Sequence, residues 1–167
     1  KLKLLATSLV VFAATAAPAF AITPASFEVT GGGLTISAPT GANVDLGSRL
    51  ASNVAGTISG SLGVVSVSDL RGGATTWTAS VISSAFTPTA GPAVAASLVS
   101  YNAGVITASG PVTPVGGVFA NLTGVVSVVT GTSTGPSSAT WNPLILVTIP
   151  ANLAPGIYTA TVTHSVA

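Results

Sequence analysis

From residue 22 onward, short runs rich in Val, Ile and Thr alternate with clusters of Gly, Pro, Asn and Ser. Runs of this length between turn formers are the mark of strands, and helical spacing of apolar residues is nearly absent. The pattern predicts strands at residues 26–30, 34–38, 44–46, 56–59, 63–69 and 76–83. It predicts others at 97–101, 105–108, 125–130, 140–149 and 157–166. Loops are expected at residues 87–92, 110–117 and 131–138.

Period-two alternation is clearest at the last strand. Tyr158, Ala160, Val162, His164 and Val166 share one face, while Thr159, Thr161, Thr163 and Ser165 share the other. Trp77, Ala79 and Val81 likewise alternate with Thr78 and Ser80. Around Trp141 the pattern changes: Trp141, Ile145, Val147 and Ile149 fall on one face, and Leu144 and Leu146 on the other. Apolar residues on both faces predict a strand covered from both sides, at least locally. Pro143 cannot donate to a ladder and marks a bulge or an edge. Trp77 and Trp141 are expected as core anchors, each able to bury ~200 Å². Gly-rich turns separate the strands at residues 30–33 and 71–73, and Pro155-Gly156 predicts a type II turn with Gly156 at positive φ. Strands without helices predict an all-β fold. The reading is one antiparallel β-sandwich with Greek-key, Ig-like connections over residues 22–167, with a jelly roll as the alternative.

The first 21 residues read differently. Lys1 and Lys3 precede an uncharged apolar run, and Ala19-Phe20-Ala21 supplies a small-x-small cleavage pattern. Cleavage after Ala21 is predicted, which implies export to the extracellular surface. The apolar run falls short of the ~20 residues a bilayer core requires. No membrane span is expected after cleavage.

Charge then narrows the function classes. Beyond residue 21 the ionisable groups of fixed charge are Arg49 and Arg71 against Glu28, Asp45 and Asp69, which leaves one net negative charge. Nucleic acid is excluded as a partner, because no cationic stripe exists to displace counterions. An electrostatic membrane anchor fails for the same reason. Aromatic residues, 5% of the chain, are too few for the girdles of a transmembrane barrel. With no cysteine, disulfide staples and thiolate chemistry are excluded.

Candidate chemistry is correspondingly thin. His164 is the one histidine, so any Ser-His-Asp triad must use it. Its inward position favours a hydrogen-bonded core or rim histidine. Catalytic zinc requires three protein ligands, and calcium an acidic loop that the chain lacks. The expectation is a non-enzyme with no cofactor and no metal. One polar cluster stands out, Asp69-Leu70-Arg71-Gly72-Gly73, where a structural ion pair is the favoured account.

The run Leu62-Gly63-Val64-Val65-Ser66-Val67-Ser68-Asp69-Leu70-Arg71-Gly72, followed by Trp77-Thr78-Ala79, resembles the first signature of WxL-type surface proteins of Gram-positive bacteria. The end of the chain, Gly156-Ile157-Tyr158-Thr159-Ala160 to Ser165, is similar to that family's closing strand, most of all in divergent actinobacterial members. Ala79 stands where the first Trp-x-Leu has Leu, and Thr163-His164-Ser165 where the second would fall. The resemblance implies a surface location and non-covalent wall attachment. It maps Asp69, Arg71 and Trp77 onto the first motif and Tyr158 onto the second. The expected function is a secreted surface structural protein, wall-associated or self-assembling, with a segment near residues 22–30 able to complete a neighbour's sheet. Its partner is then a second copy of itself or cell-wall glycan. The alternative is a non-catalytic peptidoglycan-binding module, with Trp77, Tyr101, Trp141 or Tyr158 stacking on sugar rings.

Overall fold

The computed structural model describes residues 23–41 and 43–167. The predicted leader, residues 1–21, lies outside them. The described chain is an antiparallel all-β sandwich. Its strands are β1 (Leu34–Ser37), β2 (Gly56–Ser61), β3 (Val65–Asp69), β4 (Thr75–Ser83), β5 (Thr87–Pro88), β6 (Val99–Asn102) and β7 (Ile106–Ser109). They continue with β8 (Val112–Gly116), β9 (Val118–Ala120), β10 (Val126–Ser133), β11 (Ser137–Trp141), β12 (Leu144–Ile149), β13 (Tyr158–Thr159) and β14 (Val162–Val166).

One layer is the sheet β14-β4-β10-β8. The other layer is a sheet broken in two, β1-β3-β11-β7 and β2-β12-β6-β9. β2 runs into β3, β11 into β12 and β6 into β7, and the three pairs follow in the same succession in the two orders, offset by one strand. The second layer is therefore one sheet bent across three strand corners. The residues at the corners explain the bend. Gly63 and Gly104 adopt φ of +88° and +68°, which L side chains resist, and Pro143 removes a ladder donor. Ser61 Oγ accepts the Gly63 N–H at 3.2 Å and Asn102 Oδ1 accepts the Gly104 N–H at 2.9 Å. Leu62 N–H donates to Pro143 O at 2.9 Å, and Ser61 Oγ bonds Asn142 Oδ1, so the corners are tied to one another.

At the far end of β3, arches carry the chain between layers. β3 passes to β4, β7 to β8 and β10 to β11, each pair lying in opposite sheets. The space between layers holds a single core that includes Val65, Val67, Trp77, Val81, Tyr101, Trp141, Ile145 and Val147. A bulge between Ser127 and Val129 on β10 turns both Val128 and Val129 inward.

Several expectations are corrected. Residues 26–30 belong to no strand, and neither do 44–46. In the latter, Asp45 Oδ1 accepts the Gly47 N–H at 2.8 Å, turning the chain locally, and Leu46 packs over Gly60. The expected loop 110–117 contains β8, disguised by Pro111 just before it and Pro114 within it. A proline is tolerated there because β8 is an edge strand. Residues 131–138 are the end of β10, a short arch and the start of β11. The predicted strand 140–149 is two strands in two sheets, and on its second face Leu144 is 42% exposed. The strand 157–166 divides into β13 and β14. Positive φ before it falls on Asn152, at 59°, and not on Gly156; Asn tolerates that region through its short polar side chain.

Candidate functional site

Two polar constellations are built into the sandwich. The first closes the β3–β4 arch. Alternation points Asp69, the last residue of β3, inward with Val65 and Val67, and positive φ at Gly72 and Gly73 brings the chain back. Arg71 Nε donates to Asp69 Oδ1 at 2.9 Å and Nη2 to Oδ2 at 3.0 Å, a two-pronged pairing. The Arg71 backbone N–H reaches Oδ1 at 3.2 Å and Thr75 Oγ1 donates to Oδ2 at 2.8 Å. The guanidinium also donates to Thr76 O at 2.9 Å, which fastens both strands of the arch. Asp69 is covered by its own neighbours close to the surface, and the Arg71 side chain is one-third exposed. The hydrogen bonds from Arg71, aided by Thr75, hold the Asp69 carboxyl well below the usual carboxylate range against the opposing effect of burial. Asp69 in turn raises Arg71 above its ordinary value. Both carboxylate oxygens of Asp69 are committed, so the cluster works as a clamp.

The second constellation crosses the core. Trp141 Nε1–H donates to Tyr101 Oη at 2.8 Å, and Tyr101 Oη lies 3.2 Å from His164 Nε2. Trp can only donate, so Tyr101 Oη accepts from Trp141, and the direction of its bond to His164 follows the imidazole tautomer. Trp141 stands on β11, Tyr101 on β6 and His164 on β14, so this relay joins all three four-stranded sheets. Burial pushes the Tyr101 phenol up to about 12, opposed by the Trp141 donation. Burial likewise holds His164 below its ordinary value. The imidazole's partner is a phenol, and among the described residues no acid orients it as a catalytic base. Sequence reasoning placed His164 on an inward face but missed Tyr101 as its partner. The available signal was that a buried Trp N–H, a buried Tyr O–H and an inward His each require a mate.

The four motif residues and Trp141 do not converge. Asp69 and Arg71 form the clamp, and Trp77 follows immediately, with its ring 2% exposed and lying across Gly131, its direct cross-strand partner. Trp141 is 2% exposed and serves the relay. Tyr158 is half-buried on the small β13–β5 ribbon and donates to Ala154 O at 2.9 Å. Trp77, Tyr101 and Trp141 therefore offer no ring face on which a sugar could stack.

What the molecule does present is hydroxyl. On the outer face of β1-β3-β11-β7, register aligns Thr35, Ser68, Ser138 and Ser109 in one row, and Ser37, Ser66, Thr140 and Thr107 in the next. Two shallow depressions of about 250 Å³ lie on this face, one near Leu70 and Pro136 and one near Val64 and Val105. The opposite layer repeats the theme, pairing Thr78 with Thr130 and Thr76 with Thr132. Among the described residues no helix is long and apolar enough to cross a membrane. Comparison with known proteins returned no match, whether to a family model, a curated protein or a solved structure.

Proposed function

We propose that this chain is a non-catalytic, exported surface protein of structural type, whose subunits associate through β-strand contacts. The observation that carries the reading is the pairing of two features. The folded sandwich has hydroxyl-covered outer faces almost devoid of charge, and the segment before it is exposed and belongs to no strand. Charge of one sign keeps proteins apart and lysines guard sheet edges; residues 23–167 have no lysine and little net charge. Four of the ionisable groups are engaged structurally in two pairs, Asp69 with Arg71 and His164 with Tyr101. That supports shape and contact as the basis of function. Resemblance to WxL-type surface proteins adds a wall-side location to the proposal.

Wall-glycan binding is the weaker reading, because the indole rings it would use are in the core. Sedimentation of the purified chain over a wide concentration range tests the proposal. Association that grows with concentration and survives high salt is expected; a monomer throughout, together with retention on peptidoglycan, would favour the glycan reading.

A further inference from the structure

We propose that the exposed arm formed by residues 26–30 of one copy pairs with the free edge of β2 in a second copy, with Glu28 of the arm meeting Arg49 beside that edge. This rests on the assembly reading above and names its donor and acceptor.

The arm has strand chemistry without a strand. Phe27 and Val29 fall on one side, 91% and 84% exposed, and Ser26, Glu28 and Thr30 on the other. It is anchored where Gly32 N–H donates to Leu70 O at 2.7 Å and Gly33 O accepts from Leu70 N–H at 3.0 Å. That anchor lies at the arch end of β3, whereas β2 joins β3 at the corner end. Glu28 stands four residues from Gly32, a reach of roughly 14 Å. Its own β2 edge lies beyond the other end of β3, so the fitting acceptor belongs to another molecule.

Among the six edges of the four-stranded sheets, β2 is the one open to addition. β1 lies beside β14 and β7 beside β8 across the layers. β8 also carries Pro114, and β9 has three residues. β2 has six, with neither proline nor charge. Both faces of an added strand would find a mate there. On the outer face, Leu144 and Leu146 of β12 stand behind the small Ser61 and Ser59, leaving Leu144 42% exposed. Phe27 and Val29 placed opposite Thr57 and Ser59 reach those leucines diagonally. On the inner face, the Arg49 guanidinium rests against Gly56, where any side chain would collide with it. Glu28 opposite Ile58 comes within reach of it. Asp69–Arg71 is the one ion pair among the described residues, so Arg49 is the cation left over. Of the two remaining acids, Asp45 accepts the Gly47 N–H in its own turn, and Glu28 stands on the exposed arm. Arch end meeting corner end is a head-to-tail contact, which propagates into filaments unless its rotation closes a ring.

The chain has no cysteine, so introduced thiols give an unambiguous readout. Full-length Val29→Cys protein is mixed with a differently tagged copy carrying Thr57→Cys or Ser59→Cys, oxidised mildly, and the mixed disulfide dimer quantified. Thr132→Cys, on the opposite layer, is the control. The expected result is preferential mixed dimer with one of the two β2 positions. Glu28→Arg or Arg49→Glu alone should lower its yield roughly fivefold, and the two reversals combined should restore it. Equal coupling to Thr132→Cys, or no restoration by the double reversal, overturns the proposal. If sedimentation still reports assembly in that case, the assembly reading stands and this route alone falls; a monomer at every concentration sinks both.

Discussion

Residues 65–69 and 26–30 have the same alternation and opposite fates. Val65 and Val67 are fully buried between β1 and β11, whereas Phe27 and Val29 face solvent. The difference lies in the turn at the end of each segment. β3 ends in Asp69 and the Arg71-Gly72-Gly73 turn, which commits the chain to return as β4. The arm ends in Gly31-Gly32-Gly33, which fastens only its last residues to Leu70. Alternation makes a segment able to pair; turn chemistry decides whether its partner lies in the same chain.

The contrast can be broken at its strongest point first. Trp77→Ala removes an indole that fills the space over Gly131, and should cost about 3–5 kcal/mol in denaturant unfolding. Tyr101→Phe strands the buried Trp141 N–H and should cost about 1–3 kcal/mol by the same measurement. The relay also has a pH signature. His164 takes up a proton less readily folded than unfolded, so its contribution is complete above about pH 6.5 and is lost as pH falls below that value. His164→Gln should flatten stability through that interval. The clamp acts at lower pH. With its folded value depressed, Asp69 contributes fully above about pH 4 and progressively less below it. Asp69→Asn should be weaker than the native chain at neutral pH, and the gap should narrow as acid unfolding is approached. Smallest of all, Phe27→Ala should change monomer stability by no more than about 0.5 kcal/mol, because the ring touches little in its own chain.

Much of the architecture could be read from residue order. The inward set Val162, His164 and Val166 and the core placement of Trp77 and Trp141 follow from spacing alone. What escaped did so for identifiable reasons. Pro111, Pro114 and Gly116 make β8 resemble a loop, because an edge strand need satisfy only one neighbour. The bend at Asn142-Pro143 hid a change of sheet within a continuous apolar run. The relay from Trp141 through Tyr101 to His164 joins residues 40 and 63 positions apart, and no local pattern encodes it. Asp69 and Arg71, two residues apart, were legible as a pair.

Arginine placement has a consequence for proteolysis of the folded chain. Beyond residue 21 a trypsin-like enzyme finds two cleavage points, after Arg49 and after Arg71. The second is pinned within a tight arch by its own guanidinium, so it cannot adopt the extended form that such an enzyme must thread. The first sits exposed in irregular chain. A brief digest should therefore nick the native protein once, ahead of β2, and spare the sandwich from β2 to β14.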